Sequence, residues 1–186
     1  MRIVGVLLAA GRGERFGGDK LLAPLGGSTI GATSSRNLLA ALDDVIAIVR
    51  PGDARLITAL RETGVRVIEC ATSSAGMGAS LACGVRASAD ADGWIVALAD
   101  MPWIEIATIA KVAEAIERGA SVAAPFHNAM RGHPVGFGQN CASALAALEG
   151  DDGAKSVVAA HRDAIVRIDV ADPGILRDVD TPTDLT

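Results

Sequence analysis

Apolar residues along this chain fall into short blocks separated by polar, glycine-containing stretches. Blocks of strand length occur at Ile3–Ala10, Val45–Val49, Val65–Ile68, Trp94–Ala99, Ser121–Pro125, Pro134–Phe137 and Ile165–Val170. Most alternate with helical spacings, at Ile30–Leu42, Ala54–Thr63, Gly78–Ala89, Ile104–Arg118, Asn140–Ala147 and Gly153–His161, each long enough to cover one face of a sheet. Such alternation predicts an α/β fold, three layers in αβα order, with a doubly wound, mostly parallel sheet in the middle. Ligands of such sheets bind at the carboxyl ends of the strands, so the residues just after each strand are read together.

Composition agrees with that architecture. Half of the 186 residues are hydrophobic, only 3% are aromatic and none is tyrosine, so alanine, valine, leucine and isoleucine carry the core, as in parallel strands covered by helices. One compact domain over residues 1–186 is expected. A net charge of −5 argues against whole-molecule attraction to nucleic acid, so any anion site has to be a local patch. Cys70, Cys83 and Cys141 are odd in number and dispersed, as expected of small buried residues in a reducing compartment. The apolar start is interrupted at Gly11, too soon for a membrane span or a cleavable signal, and no repeat or linker divides the chain. These features predict a cytoplasmic protein with no membrane partner.

Candidate chemistry begins where the first apolar block empties into Gly11-Arg12-Gly13-Glu14-Arg15-Phe16-Gly17-Gly18-Asp19-Lys20. Glycines let several amides point at one anion, and Arg12, Arg15 and Lys20 add positive charge, which suits a phosphate chain. Two familiar motifs fail here. The dinucleotide fingerprint needs glycine where Phe16 stands, and the P-loop needs glycine where Asp19 precedes the lysine. Asp100 ends the block Trp94–Ala99, and is either a metal ligand or a cap for the next helix. In the tail, Asp178 and Asp180 alternate around Val179 and would face one side of an extended segment, where they hold a metal or lead into a capped terminal turn. Gly76-Met77-Gly78-Ala79-Ser80 opens a helix and would offer free amides to ribose or base. Taken alone, His133 is an ordinary strand-edge histidine and Gly150–Lys155 a turn with a helix cap.

The string LLAAGRGERFGGDKLL resembles the signature of the MobA/MocA-like nucleotidyltransferases, which attach a nucleoside monophosphate to the molybdenum pterin cofactor. Ala97-Leu98-Ala99-Asp100-Met101-Pro102, Arg131-Gly132-His133-Pro134-Val135-Gly136-Phe137, Gly150-Asp151-Asp152-Gly153-Ala154-Lys155 and Asp178–Leu185 match further motifs of that family in its order, from Val4 to Leu185. The resemblance implies a single NTP-transferase domain with the nucleotide-diphospho-sugar transferase fold. It implies that Leu8, Ala9, Ala10, Gly11, Arg12 and Gly13 line the nucleotide, that Lys20 contacts its phosphates, and that Arg15 meets the leaving pyrophosphate. Asp100 would hold Mg²⁺, with Asp178 and Asp180 as further ligands. Gly76, Gly78 and Ser80 would approach the nucleoside, although the family usually has Asn where this chain has Cys70. His133, Pro134, Asp151 and Lys155 would form the acceptor side.

Leu8-Ala9-Ala10-Gly11 has the form found in members that use CTP, whereas those using GTP tend to read Leu-Ala-Gly-Gly. The implied reaction transfers CMP from CTP to the terminal phosphate of molybdenum-molybdopterin and releases pyrophosphate, with a molybdoenzyme as recipient of the product. Two alternatives fit the same residues. One is a cytidylyl- or guanylyltransferase for another small phosphomonoester, and the other a non-catalytic carrier of nucleotide or cofactor.

Overall fold

A computed structural model describes residues 1–11, 13 and 16–185. In chain order, β1 (Ile3–Leu8) leads through the glycine loop to a 3-10 turn at Lys20–Leu22, and a small hairpin of β2 (Pro24–Leu25) and β3 (Ser28–Thr29) precedes α1 (Ile30–Ala41). Next come β4 (Asp44–Val49), α2 (Ala54–Arg61), β5 (Arg66–Glu69), α3 (Met77–Arg86), β6 (Gly93–Leu98) and α4 (Ile106–Glu117). The last third holds β7 (Val122–His127), β8 (Met130–Arg131), β9 (Val135–Gly138), α5 (Ala142–Ala146), α6 (Lys155–Ala160) and β10 (Ile165–Asp169). Every strand and helix expected from the pattern is present, with ends shifted by a few residues, as fraying ends allow. The short strands β2, β3 and β8 carry no apolar run and were not expected.

The main sheet runs β10-β7-β9-β6-β1-β4-β5, with β8 added against β7. Its pairings are parallel except around β9, which runs antiparallel between β6 and β7, and at β8. The sheet is therefore mostly parallel, as expected, with the Pro134–Phe137 block as its one reversed member along the path.

Strand geometry sends alternate residues to opposite faces, and β1 shows the result. Ile3, Leu7 and Ala9 join one core with α1, α2 and α4 residues such as Leu38, Leu60 and Val112. Val4 and Val6 join a second core with Leu81 and Val85 of α3, Leu145 of α5 and Val157 of α6. Two helix layers thus cover a sheet that is apolar on both faces. Cys70 and Cys141 are buried in the second core, and Cys83 is half-buried against it. Burial and the neighbouring Cys70 push the Cys83 thiol up to about 11, so it stays protonated at neutral pH.

One buried carboxylate ties the C-terminal tail to this frame. Asp172 accepts hydrogen bonds from the Glu105 amide (2.9 Å), the Thr108 hydroxyl (2.8 Å) and the Gly174 amide (2.9 Å). It serves the start of α4 from a distance of 67 residues in sequence. From there the chain passes through the 3-10 turn Pro173–Leu176, and the Val179 amide donates to the Asp100 carbonyl (2.9 Å). Replacing Asp172 by alanine strands three donors, and Asp172→Ala should cost about 2–4 kcal/mol, read as a lower urea midpoint with Asp172→Asn in between.

Candidate nucleotide cleft

Leu8 pairs in register with Leu98 of β6 and with Ile48 of β4. The three strands therefore end level, and a cavity of about 600 Å³ opens over their carboxyl ends. Leu8 and Leu98 form part of its lining, with Ala10, Gly11 and Gly13 on the glycine loop. Ala9 is turned away, its methyl buried in the first core and its amide donating to the Ile48 carbonyl at 2.9 Å.

The loop is folded on itself. Gly13 has φ +60°, and a β-carbon there would stand 2.9 Å from the Gly18 carbonyl oxygen and 3.1 Å from the Lys20 β-carbon, so only glycine fits. That fold carries Lys20 into the cleft, where its Nζ donates to Asp100 Oδ2 at 2.7 Å and lies 3.8 Å from Asp180 Oδ1. The lysine side chain is only 13% exposed, which shields the pair from solvent and strengthens it relative to a surface ion pair. One ammonium thus faces two carboxylates brought together from separate segments. Asp100 and Asp180 are hard oxygen donors from separate segments, a set that suits Mg²⁺ or Mn²⁺ completed by substrate phosphates. Among the described residues no three His, Cys, Asp or Glu side chains form a metal cluster on their own.

Another part of the lining joins two segments distant in sequence. Gly76 has φ +122°, and a β-carbon there would collide with the Gly150 main chain and the Asp151 carboxylate. The Gly78 amide donates to the Gly150 carbonyl at 2.7 Å, so this amide is used within the wall instead of facing a ligand. The Ser80 hydroxyl donates to the Gly76 carbonyl at 3.2 Å. Gly76, Ser80 and Asp151 all line the cavity, with Met77 of the same stretch, as do Ser73 and Ser74, which the sequence reading missed. Cys70 is buried behind this wall, its sulfur 3.4 Å from the Thr72 hydroxyl, and does not line the cavity.

Other expected residues sit outside the cavity lining. Lys155 is exposed on the first turn of α6, and Asp178 is exposed at the edge of the tail while Asp180 turns toward Lys20. His133 and Pro134, joined by a cis peptide, precede β9; the pairing of Val135 with Val96 carries them alongside the end of β6. Arg12 and Arg15 lie outside the described residues. Arg50, two residues past Ile48, lines the cavity and was not singled out in the sequence because Arg50-Pro51-Gly52-Asp53 reads as a turn and helix cap.

Comparison with known proteins fits this geometry. Residues 5–165 match the MobA-like NTP transferase domain. The chain belongs to that family. Within it, the chain is 34% identical to the purine catabolism protein PucB of Bacillus subtilis, an alignment spanning 97% of this chain and 92% of that protein. It is 29% identical to the nicotine blue oxidoreductase of Paenarthrobacter nicotinovorans, covering 96% and 92%. The crystal structure of Rv0371c from Mycobacterium tuberculosis in complex with manganese superposes with a TM-score of 0.77 at 26% identity, covering 99% of this chain and 96% of that one. The MobA-like nucleotidyltransferase resemblance in the motifs is therefore correct, and with it the α/β fold. Among the described residues no helix is long and apolar enough to cross a membrane.

His133 supplies a pH test of this end of the sheet. Its Nδ1 is sealed from solvent without a hydrogen-bond partner among the described residues. Burial pushes the imidazole below its ordinary value of 6.5, Arg131 adds to this, and Asp100 and the Val96 main chain oppose it. The unfolded chain then takes up the proton first, so stability is fullest above that ordinary value and falls as pH drops through it toward the folded-state value. Between about pH 7.5 and 5 the melting temperature of wild type should fall more steeply than that of His133→Asn, and parallel curves would refute the buried neutral imidazole.

Proposed function

We propose that this MobA-like protein is a cytidylyltransferase that transfers CMP from CTP to a terminal phosphate of molybdopterin type. The reading is carried by one observation: Lys20 and Asp100, 80 residues apart, meet at 2.7 Å over the ends of β1 and β6, in a cleft large enough for a nucleotide. An ionised oxygen of the acceptor phosphate attacks the α-phosphorus of CTP, the bond from that phosphorus to the bridging oxygen breaks, and pyrophosphate leaves with the electron pair. No protein nucleophile or general base is needed, because the attacking oxygen is already deprotonated.

The chain's work is positioning and charge. Lys20 holds the phosphates, and the glycine loop presents backbone to them without side chains in the way. Among the described residues of the cavity lining, Lys20 and Arg50 bring positive charge and Asp100 and Asp151 negative charge. Asp100 and Asp180 would hold a divalent cation; when bound it neutralises phosphate charge and polarises the α-phosphate. That a Mycobacterium tuberculosis relative is known in complex with manganese supports a divalent cation for this protein. Asp151, in the cavity lining beside Gly76, and His133, beside the end of β6, serve the acceptor.

The Ala10 methyl, which lines the cavity, is the proposed discriminator between bases: compared with glycine it would narrow a pocket that a purine needs. With molybdenum-loaded molybdopterin and Mg²⁺, pyrophosphate release should be faster with CTP than with GTP, and Ala10→Gly should narrow the difference. Equal turnover of both nucleotides by wild type would defeat the CTP assignment. Lys20→Ala should lower turnover by about 10²–10³ while leaving the far-ultraviolet dichroism unchanged. Binding of CTP without pyrophosphate release would favour a carrier.

A further inference from the structure

Arg50 occupies a place equivalent to two residues of the proposed machinery. Counting from the level trio Leu98, Leu8 and Ile48, the residues two positions on are Asp100, Ala10 and Arg50. Arg50 lines the main cavity and also a smaller one of about 150 Å³ tucked beneath the glycine loop. Lys20 is the other cation that borders both among the described residues.

The two cations differ in what already holds them. The Lys20 ammonium stands between two carboxylates, at 2.7 and 3.8 Å. Among the described residues the guanidinium of Arg50 has one ion pair, with Asp53 at 3.5 Å, and its side chain is 37% exposed. Asp53 is itself engaged, since its Oδ1 accepts the Leu56 amide at the start of α2. Asp19, the other acid bordering the smaller cavity, is paired with Arg55 at 2.6 Å. Arg50 is thus the less neutralised cation of the two, and its planar fork matches two phosphate oxygens at once.

The smaller cavity suits an anion better than a nucleoside. It falls below the range of about 300–1,000 Å³ typical of small-molecule sites, whereas the main cavity lies within it. Gly11, Gly13 and Gly18 border it, so backbone can approach a ligand there with no β-carbon in the way.

We propose that Arg50 is a phosphate-binding residue: with Lys20 it grips the distal phosphates of the nucleoside triphosphate, which sit at the smaller cavity beneath the glycine loop. This rests on the nucleotidyl-transfer reading above and adds where the leaving pyrophosphate is held. Arg50 carries its charge to the triphosphate from β4, on the side of β1 opposite Asp100.

The test is calorimetric titration of wild type, Arg50→Ala and Arg50→Lys with CMP, CTP and inorganic pyrophosphate in Mg²⁺, with GMP and GTP in parallel. Arg50→Ala should bind the triphosphate and pyrophosphate about 10- to 100-fold more weakly while binding of the monophosphate is unchanged, and Arg50→Lys should recover part of the loss. Equal weakening of mono- and triphosphate would move Arg50 to the nucleoside and overturn the proposal, as would unchanged triphosphate binding. The lysine variant keeps the charge and most of the side chain's length, so a folding defect in the alanine protein leaves the comparison intact. Should wild type bind neither CTP nor GTP, the nucleotidyl-transfer reading itself falls; should it bind them with Arg50 indifferent, only this inference does.

Discussion

Parallel pairing of β1 with β6 and β4 is the constraint on which the cleft depends. Because Leu8 lies level with Leu98 and with Ile48, the loops that follow these strands open at the same height. A slip of one residue in either pairing would send alternate side chains to the wrong face and misplace Asp100 relative to Lys20. The register is held by burial on both faces, since Val4, Val6, Ile46 and Trp94 must enter one core while Leu7, Ala47 and Ile95 enter the other. Packing of the core thereby sets the spacing of the charges above it.

Among the described residues those charges are of both signs. Lys20 joins Asp100 and Asp180 in a half-buried cluster, and Arg50 and Asp151 add one charge of each sign at the cavity wall. A cleft of this kind is organised without a ligand, yet retains polar groups that phosphate and a cation can engage. Its shape is set largely by backbone, because glycines at 13 and 76 permit turns and close approaches that any side chain would block.

The tail couples stability to this arrangement. Asp172 fixes the turn at Pro173–Leu176 to the start of α4, and the Val179 amide reaches the Asp100 carbonyl. A buried acid with no direct contact to the cleft therefore helps to determine where Asp180 stands. Arg177, stacked on Trp103 at 3.7 Å, adds a second clasp between the tail and the loop after Asp100.

Local chemistry in the sequence determined the alternation of strands and helices, the two-faced apolar pattern, and the candidacy of the glycine loop, Lys20 and Asp100. Each is written within a few neighbouring residues, as periodicity, as glycine content or as an acid after a strand. Only the tertiary structure decided that β9 runs antiparallel, since an apolar block of four or five residues carries no direction. It also decided that Gly76 meets Gly150, that Arg50 borders the cleft, and that Asp180 and not Asp178 reaches Lys20. Such meetings depend on register and chain path across tens of residues, and periodicity, which reports only which face a residue occupies, does not encode them.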